Sequence, residues 1–198
     1  MIRALRPADV ADIATIHADS LPGDLLALLG ARFLGRLYLA MIGSGLAFGF
    51  VAELNERVDG FVIGTTQTSG MFRSVLRAAA PGLLIAALPR LLSRPTLAWK
   101  IAQAFVYPSR VPGVAEEAEL LVIAVRSERR GERVGVALVE ALNREFVGRR
   151  IASYKLTVYE ANERAARFYE RLQFDRRGSF TLFGRPWRLY TYDLRRSR

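Results

Sequence analysis

The chain has 198 residues, 51% of them hydrophobic, which suits one domain with a buried core. It has no cysteine and a single histidine, His17, so disulfides, cysteine-ligated metals and multi-histidine metal sites are excluded. The net charge is +10 and comes mostly from arginine, since the only lysines are Lys100 and Lys155. This charge suits an anionic ligand, nucleic acid or a membrane surface, and composition does not choose among them.

The start of the chain lacks the uninterrupted apolar stretch of a signal peptide, because Asp9 and Asp12 interrupt it. The most apolar stretch, 78–89, is shorter than the about 20 residues that a membrane-spanning helix needs, and it contains two prolines. We therefore expect a cytoplasmic, soluble protein without a transmembrane segment.

Hydrophobic periodicity in the first part predicts a strand, two helices and a β-hairpin. The predicted ranges are a strand at 2–6, a helix opening at Pro7, a helix at 24–42, and strands at 47–54 and 60–66.

The segment 71–115 differs from its surroundings, because it is apolar and basic and contains no Asp or Glu. Its pattern predicts helices over 83–92 and 97–106, broken at Pro89 and Pro95.

The second half alternates strands and helices. The range 120–125 is apolar on both faces, as a central buried strand should be. The other predicted ranges are a helix marked by Val134 to Leu142, a strand at 154–159, a helix at 162–172, and an antiparallel pair at 180–183 and 188–194. The chain is therefore predicted to be one domain, 1–198, of the α/β (α+β) class, with a mixed central sheet flanked by helices.

Two segments carry candidate chemistry. In 125–138 a buried strand passes through a basic loop with two glycines into a helix, whose free backbone N–H groups favour phosphate. In 156–174, Asn162 is a good helix N-cap, and Phe168 and Tyr169 lie on one face of the following helix. Taken alone, the loop is compatible with a structural turn and Tyr169 with a core residue.

Together the two segments resemble the GNAT superfamily of acetyltransferases. The range Arg130 to Gly135 matches in part the family's phosphate loop, Gln/Arg-x-x-Gly-x-Gly/Ala. The range Asn162 to Phe174 fits the later signature, Asn-x-x-Ala-x-x-Phe-Tyr-x-x-x-Gly-Phe. Arg133 and Gln173 stand where the family has glycine. The resemblance is strong over about 118–194, is weaker over 1–66, and leaves 71–115 as a helical insertion between strands 3 and 4.

The resemblance implies acetyl-CoA as co-substrate and no metal. Backbone groups of Ile123 and Val125 would pair with the thioester and pantetheine, and Asn162 would contact the pantetheine arm. The pyrophosphate would be held by the loop residues Arg130, Gly131, Arg133, Val134, Gly135 and Val136.

In the implied mechanism the amine attacks the thioester directly, without a covalent enzyme intermediate. Tyr169 matches the tyrosine that such enzymes use as the acid for the leaving thiolate. The expected base is Glu119, at the start of the central strand, with Glu116 and Glu117 as alternatives or all three as solvated charges. His17 is a further candidate base, although it is expected on the surface of the first helix.

The expected acceptor is a primary amine of a small molecule, neutral or anionic because the insertion offers no acidic residue. Acetylation of a protein N-terminus or lysine is the alternative within enzymes, and a non-catalytic acyl-CoA-binding module is a further one. No specific nucleic-acid motif accompanies the positive charge. The segment 71–115 is expected to be a lid over the acceptor site, a homodimer contact or a peripheral helix on anionic lipid.

Overall fold

The computed structural model describes residues 1–99, 114–182 and 184–197. In these residues seven strands form one sheet in the order β1-β2-β3-β4-β5-β7-β6. Only β4 and β5 are parallel neighbours; all other pairs are antiparallel. The strands are β1 Ile2–Ala4, β2 Ala47–Leu54, β3 Arg57–Thr65, β4 Glu119–Val125, β5 Ser153–Tyr159, β6 Asp175–Leu182 and β7 Arg185–Asp193.

Helices cover both faces of this sheet, and each layer has its own apolar core. The helices are α1 Val10–Ser20, α2 Leu25–Leu28, α3 Ala31–Gly43, α4 Thr68–Ser93, α5 Val134–Gly148 and α6 Glu163–Arg171. The first core joins α1, α3 and α4 to one face through side chains such as Ile13, Leu34 and Phe61. The second joins α5 and α6 to the other face through side chains such as Leu138 and Tyr169. The predicted sheet flanked by helices is confirmed.

The helix predicted over 24–42 is divided into α2 and α3. Asp24 Oδ1 accepts hydrogen bonds from the backbone N–H of Leu26 (2.8 Å) and Ala27 (3.4 Å), and so caps α2. Gly30 then adopts a φ of 91°, a conformation that few other residues reach, and the chain restarts as α3.

The break predicted at Pro89 is wrong, because α4 continues from Thr68 to Ser93 through both Pro81 and Pro89. Both prolines are exposed, so the carbonyl groups that they leave unpaired one turn earlier can meet water. The helix predicted over 97–106 lies mostly outside the described residues.

Of the helices in the described ranges, α4 alone is long and apolar enough to cross a membrane by length and composition. The apolar stretch is thus longer than the predicted 78–89. A core helix can meet the same criterion, but only 22% of the most apolar window of α4 is buried. The helix packs on α3 through its buried residues Met71, Val75, Leu83 and Ala87.

One extra residue in β4 changes the geometry of the sheet centre. Opposite β3, Ile63 faces Val122 and Gly64 faces Leu120, so Leu121 has no partner and forms a β-bulge. A bulge bends its strand, and the parallel pairing between β4 and β5 is present only at Glu119 and Lys155. Beyond that pair a cleft opens between the two central strands.

The buried tyrosines predict how stability depends on pH. Burial raises the pKa of the hydroxyl groups of Tyr38, Tyr154 and Tyr169 above the ordinary value. In the unfolded chain they ionise at about pH 10, so above this pH the folded state binds more protons than the unfolded state. Stability is therefore insensitive to these groups below pH 10 and falls above it, by about 1.4 kcal/mol per pH unit for each tyrosine.

Urea unfolding between pH 8 and pH 11 measures this slope, with little interference from the chain's two lysines. The Tyr154→Phe variant should lose only its own share of the slope, because burial also raises the pKa of Tyr38, Tyr169 and Tyr190. A slope equal in wild type and variant would mean that Tyr154 ionises in the folded state.

Candidate active site

The cleft edge of β4 presents backbone groups toward β5. Arg126 N donates to Asp59 O (2.9 Å). The neighbouring residues Gly60 and Val125 therefore form a non-hydrogen-bonded pair of the antiparallel ladder between β3 and β4. By the alternation of an antiparallel ladder, the N–H and C=O of both Val125 and Ile123 point away from β3. These are the two residues that were predicted to pair with an extended ligand.

The carbonyl group of Val125 is already hydrogen-bonded. Ser20 Oγ donates to it from the end of α1 (3.3 Å), and Arg130 Nε donates from the loop after β4 (3.1 Å). The predicted contribution of Val125 is therefore limited to its N–H group, while Ile123 offers both of its groups.

The start of α5 carries a set of unsatisfied donors. Arg133 is the N-cap and contributes no side-chain cap, and the first backbone bond of the helix runs from Ala137 N to Arg133 O (3.1 Å). In the described residues, none of the backbone N–H groups of 131–136 has a hydrogen-bond partner. Such groups and the helix dipole together attract an anion, and phosphate oxygens can satisfy them.

The arginines of this loop do not act alike. The guanidinium of Arg129 lies 3.3 Å from Asp59 and 2.8 Å from Glu132, and that of Arg130 binds Val125 O. Arg133 is exposed and has no ion pair with any part of the chain that the structure describes. Arg133 is therefore the loop cation best placed for a phosphate.

Both departures from the family pattern fall on left-handed backbone. Arg133 has a φ of 61° and Gln173 a φ of 62°. Glycine adopts this conformation freely, whereas a side chain costs roughly 1–2 kcal/mol there. At both positions a glycine would adopt the required left-handed conformation without strain. In this chain Arg133 and Gln173 adopt it despite the cost of a side chain.

Gly135 connects the loop to α6. A Cβ atom at this position would lie 3.3 Å from Phe168 Cζ, which is tighter than an ordinary contact. The absence of a side chain lets α5 approach α6 closely, next to the residue that precedes Tyr169.

Asn162 and Tyr169 occupy opposite ends of α6. Asn162 Oδ1 accepts from Ala165 N (3.1 Å), so the side-chain amide N–H groups remain to meet a ligand. Tyr169 is 5% exposed and contacts the rings of Phe174 and Tyr190.

The hydroxyl group of Tyr169 has no hydrogen-bond partner within the described ranges. Burial raises its pKa, so the group is protonated at neutral pH. Tyr169 shares its apolar cluster with Ile123, Val125 and Val134, and the fold therefore brings these predicted residues together.

Glu119 is not a solvated charge. It is 2% exposed, and its Oε2 accepts from Thr68 Oγ1 at the start of α4 (2.7 Å). Glu117 accepts from Ser69 Oγ (3.0 Å) and Glu116 from Ser153 Oγ (3.2 Å). Glu119 lies on the face of the sheet covered by α4 and Tyr169 on the other face, so the two flank the cleft from opposite sides.

His17 is buried, contrary to the expected surface position. It is 2% exposed, with Nδ1 2.5 Å from Tyr38 Oη and Nε2 3.1 Å from Asp24 Oδ1. These contacts hold α1 against α2 and α3, which leaves no role for His17 as a solvent-facing base. No group of three or more residues able to hold a metal occurs in the described part of the chain.

Lys155 is a candidate that sequence reasoning missed. It is 7% exposed and pairs in register with Glu119, so both side chains lie on the same face of the sheet. No described carboxylate lies within 4 Å of its ammonium group. A lysine between the apolar residues Tyr154 and Leu156 was the signal that could have revealed it.

Comparison with known proteins agrees with this geometry. The model of the acetyltransferase (GNAT) family matches residues 97–174, which contain β4, the loop before α5, α5, β5 and α6. The resemblance to the GNAT acetyltransferases is thereby confirmed. A search of curated proteins found no significant match.

Solved structures extend the fold to nearly the whole chain. Ard1 from Thermoplasma volcanium superposes with a TM-score of 0.62 at 17% identity, over 98% of this chain and 96% of its own. A ribosomal-protein-alanine N-acetyltransferase from Brucella melitensis gives 0.62 at 14% identity, over 98% and 99%. The ribosomal-protein-S18-alanine N-acetyltransferase from Escherichia coli gives 0.58 at 18% identity, over 98% and 93%.

The unpaired guanidinium of Arg133 predicts that this residue contributes to the affinity for acetyl-CoA. The Arg133→Gln variant should bind acetyl-CoA about tenfold more weakly, because a charge-assisted hydrogen bond to phosphate is lost. Calorimetric titration measures the change, and Arg133→Lys should recover part of it.

The matched control is Arg144→Gln, because Arg144 is also exposed and lies on α5 but far from its first turn. Its affinity should equal that of the wild type. Equal affinities in the Arg133→Gln and wild-type proteins would remove Arg133 from the phosphate site.

Proposed function

We propose that this chain is an acetyl-CoA-dependent N-acetyltransferase that transfers an acetyl group to a primary amine of a small molecule. The observation that carries the proposal is the row of unsatisfied N–H groups over 131–136, beside the open backbone edge of β4. Both features lie inside the segment that matches the acetyltransferase family.

The donor set suits the chemistry of acetyl-CoA. The N–H groups at the start of α5 would bind the pyrophosphate, and Arg133 would add a formal positive charge. The backbone of Ile123 would pair with the amide groups of the pantetheine arm as a neighbouring strand does. The amide of Asn162 would donate to the same arm from the start of α6.

The reaction needs two proton transfers. The amine loses a proton, its nitrogen forms a bond to the thioester carbon, and the C–S bond breaks to release a thiolate. Glu119 would accept the amine proton, directly or through water, from the α4 side of the cleft. The hydroxyl of Tyr169 would protonate the thiolate from the other side, and burial keeps that hydroxyl protonated until then.

The charges around the cleft favour a neutral or anionic acceptor molecule. Lys155 adds a buried positive charge beside Glu119. The segment 71–115 contains no acidic residue, and the carboxylates that follow it, Glu116, Glu117 and Glu119, each accept a hydrogen bond from a hydroxyl group. A carboxylate or phosphate on the acceptor would be complementary to Lys155.

Acetylation of a protein amino terminus is the second candidate. It is favoured by two similar structures whose names describe N-acetyltransferases of ribosomal-protein alanine. At 14% and 18% identity these neighbours show the fold alone, so the acceptor must be tested directly.

Binding and turnover tests separate these functions. Titration should show saturable acetyl-CoA binding at one site per chain, and release of free CoA should depend on a primary amine. Amines that carry a carboxylate should be acetylated faster than polyamines or an alanine-initiated peptide. Faster acetylation of the peptide would favour the second candidate, and binding without turnover on any amine would indicate a non-catalytic module.

The Tyr169→Phe variant tests the acid. Its turnover should fall by about 10²-fold, because a positioned acid is lost, while acetyl-CoA affinity stays unchanged, because the ring remains. Steady-state kinetics and calorimetry measure the two quantities.

Tyr154→Phe is the control, since Tyr154 is equally buried but its hydroxyl donates to Asn143 (2.7 Å). This variant should keep its turnover. Equal turnover in a folded Tyr169→Phe variant would exclude Tyr169 as the acid.

A further inference from the structure

Helix α4 exposes a row of large apolar side chains that no other described element covers. Leu84, Ile85, Leu88 and Leu92 are 63%, 67%, 51% and 76% exposed, and Trp99 beyond the helix is 70% exposed. The spacing of the four aliphatic residues places them on one side of the helix. We call these five residues the apolar stripe.

The stripe is separate from the face by which α4 is attached to the domain. Val75, Leu83 and Ala87 are buried against the first core. Arg36 on α3 donates to Gly82 O (2.9 Å), and the backbone N–H of Thr68 donates to Glu117 O (2.9 Å). A helix fastened along its length in this way lies on the domain, and it would have to break these contacts to cross a bilayer.

Positive charge accompanies the stripe. Arg73 and Arg77 are exposed in the first half of α4, on the same side of the helix as Leu84 and Leu88. Arg90 and Arg94 are exposed near its end but lie about 200° around the helix from Leu88 and Leu92, and the Arg90 side chain lies against Gly30. None of these four has an ion pair with a described residue. An exposed apolar row with unpaired arginines beside it is complementary to an interface of anionic headgroups over acyl chains.

We propose that α4 docks this chain peripherally on anionic lipid, with the apolar stripe inserted below the headgroups and Arg73 and Arg77, on the same side of the helix, contacting them. The proposal does not depend on the catalytic assignment. A second copy of the chain fits this face less well, because the arginines would meet their own counterparts and the net charge is +10. Nucleic acid would satisfy the arginines but not the aliphatic residues.

Sedimentation with vesicles tests the proposal. The wild-type protein should bind vesicles of phosphatidylcholine mixed with phosphatidylglycerol, bind pure phosphatidylcholine far less, and lose affinity as salt is added. The Leu84→Gln, Leu88→Gln, Leu92→Gln triple variant should bind the mixed vesicles at least about tenfold more weakly, because apolar insertion is removed.

The control carries Leu39→Gln and Leu54→Gln, since these leucines are 47% and 45% exposed but lie outside α4. It should bind as the wild type does. Circular dichroism and thermal unfolding confirm that each variant is folded.

The fluorescence of Trp99 gives a second readout. In a Trp187→Phe background, its emission should shift to shorter wavelength with the mixed vesicles and remain unchanged with pure phosphatidylcholine. The absence of wild-type binding to the mixed vesicles, or equal binding by the triple variant, would overturn the proposal. A wild-type dimer in light scattering that the triple variant loses would also overturn it, and would assign the stripe to contact between copies.

Discussion

The unpaired residue in β4 is the constraint on which the rest of the site depends. Because Leu121 interrupts the ladder with β3, the strand bends, and its parallel pairing with β5 ends after Glu119 and Lys155. A continuous ladder would engage the N–H and C=O of Ile123 within the sheet. The bulge instead leaves them at an open edge in the protein interior, where a ligand with amide groups can take the place of the missing strand.

The start of α5 depends on the same opening and is locally unfavourable. Unsatisfied N–H groups and a left-handed arginine both lower the stability of the free protein. Neighbouring structure holds this conformation in place, since α5 packs on Phe168 at Gly135 and Arg130 is tied to the end of β4. Strain that is held at a ligand site by rigid surroundings is a common feature of functional loops.

The two faces of the sheet have different electrostatic character around the cleft. On the α5 and α6 side, Tyr169 lies in an aromatic and aliphatic environment that keeps it neutral. On the α4 side, Glu119 is buried beside Lys155 and is bound by Thr68, the first residue of the long helix. Helix α4 thus joins the candidate base to the exposed stripe, and the proposed lipid contact would act on the same side as the proposed acceptor.

The sequence by itself determined the central strands and the helices that follow them, because their signals are local. Periodicity located β4, β5 and α6 to within about two residues and the start but not the end of α5, which continues to Gly148, and a side-chain cap marked the start of α6 at Asn162. Tertiary structure decided the surroundings of the charged groups. His17 is buried by Tyr38, 21 residues away, and Glu119 is bound by Thr68, 51 residues away. The guanidinium of Arg129 forms an ion pair with Asp59. Helix α4 continues through two prolines, one of which was predicted to break it. These outcomes depend on contacts between distant parts of the chain, and no local pattern encodes which partner a buried polar group will meet.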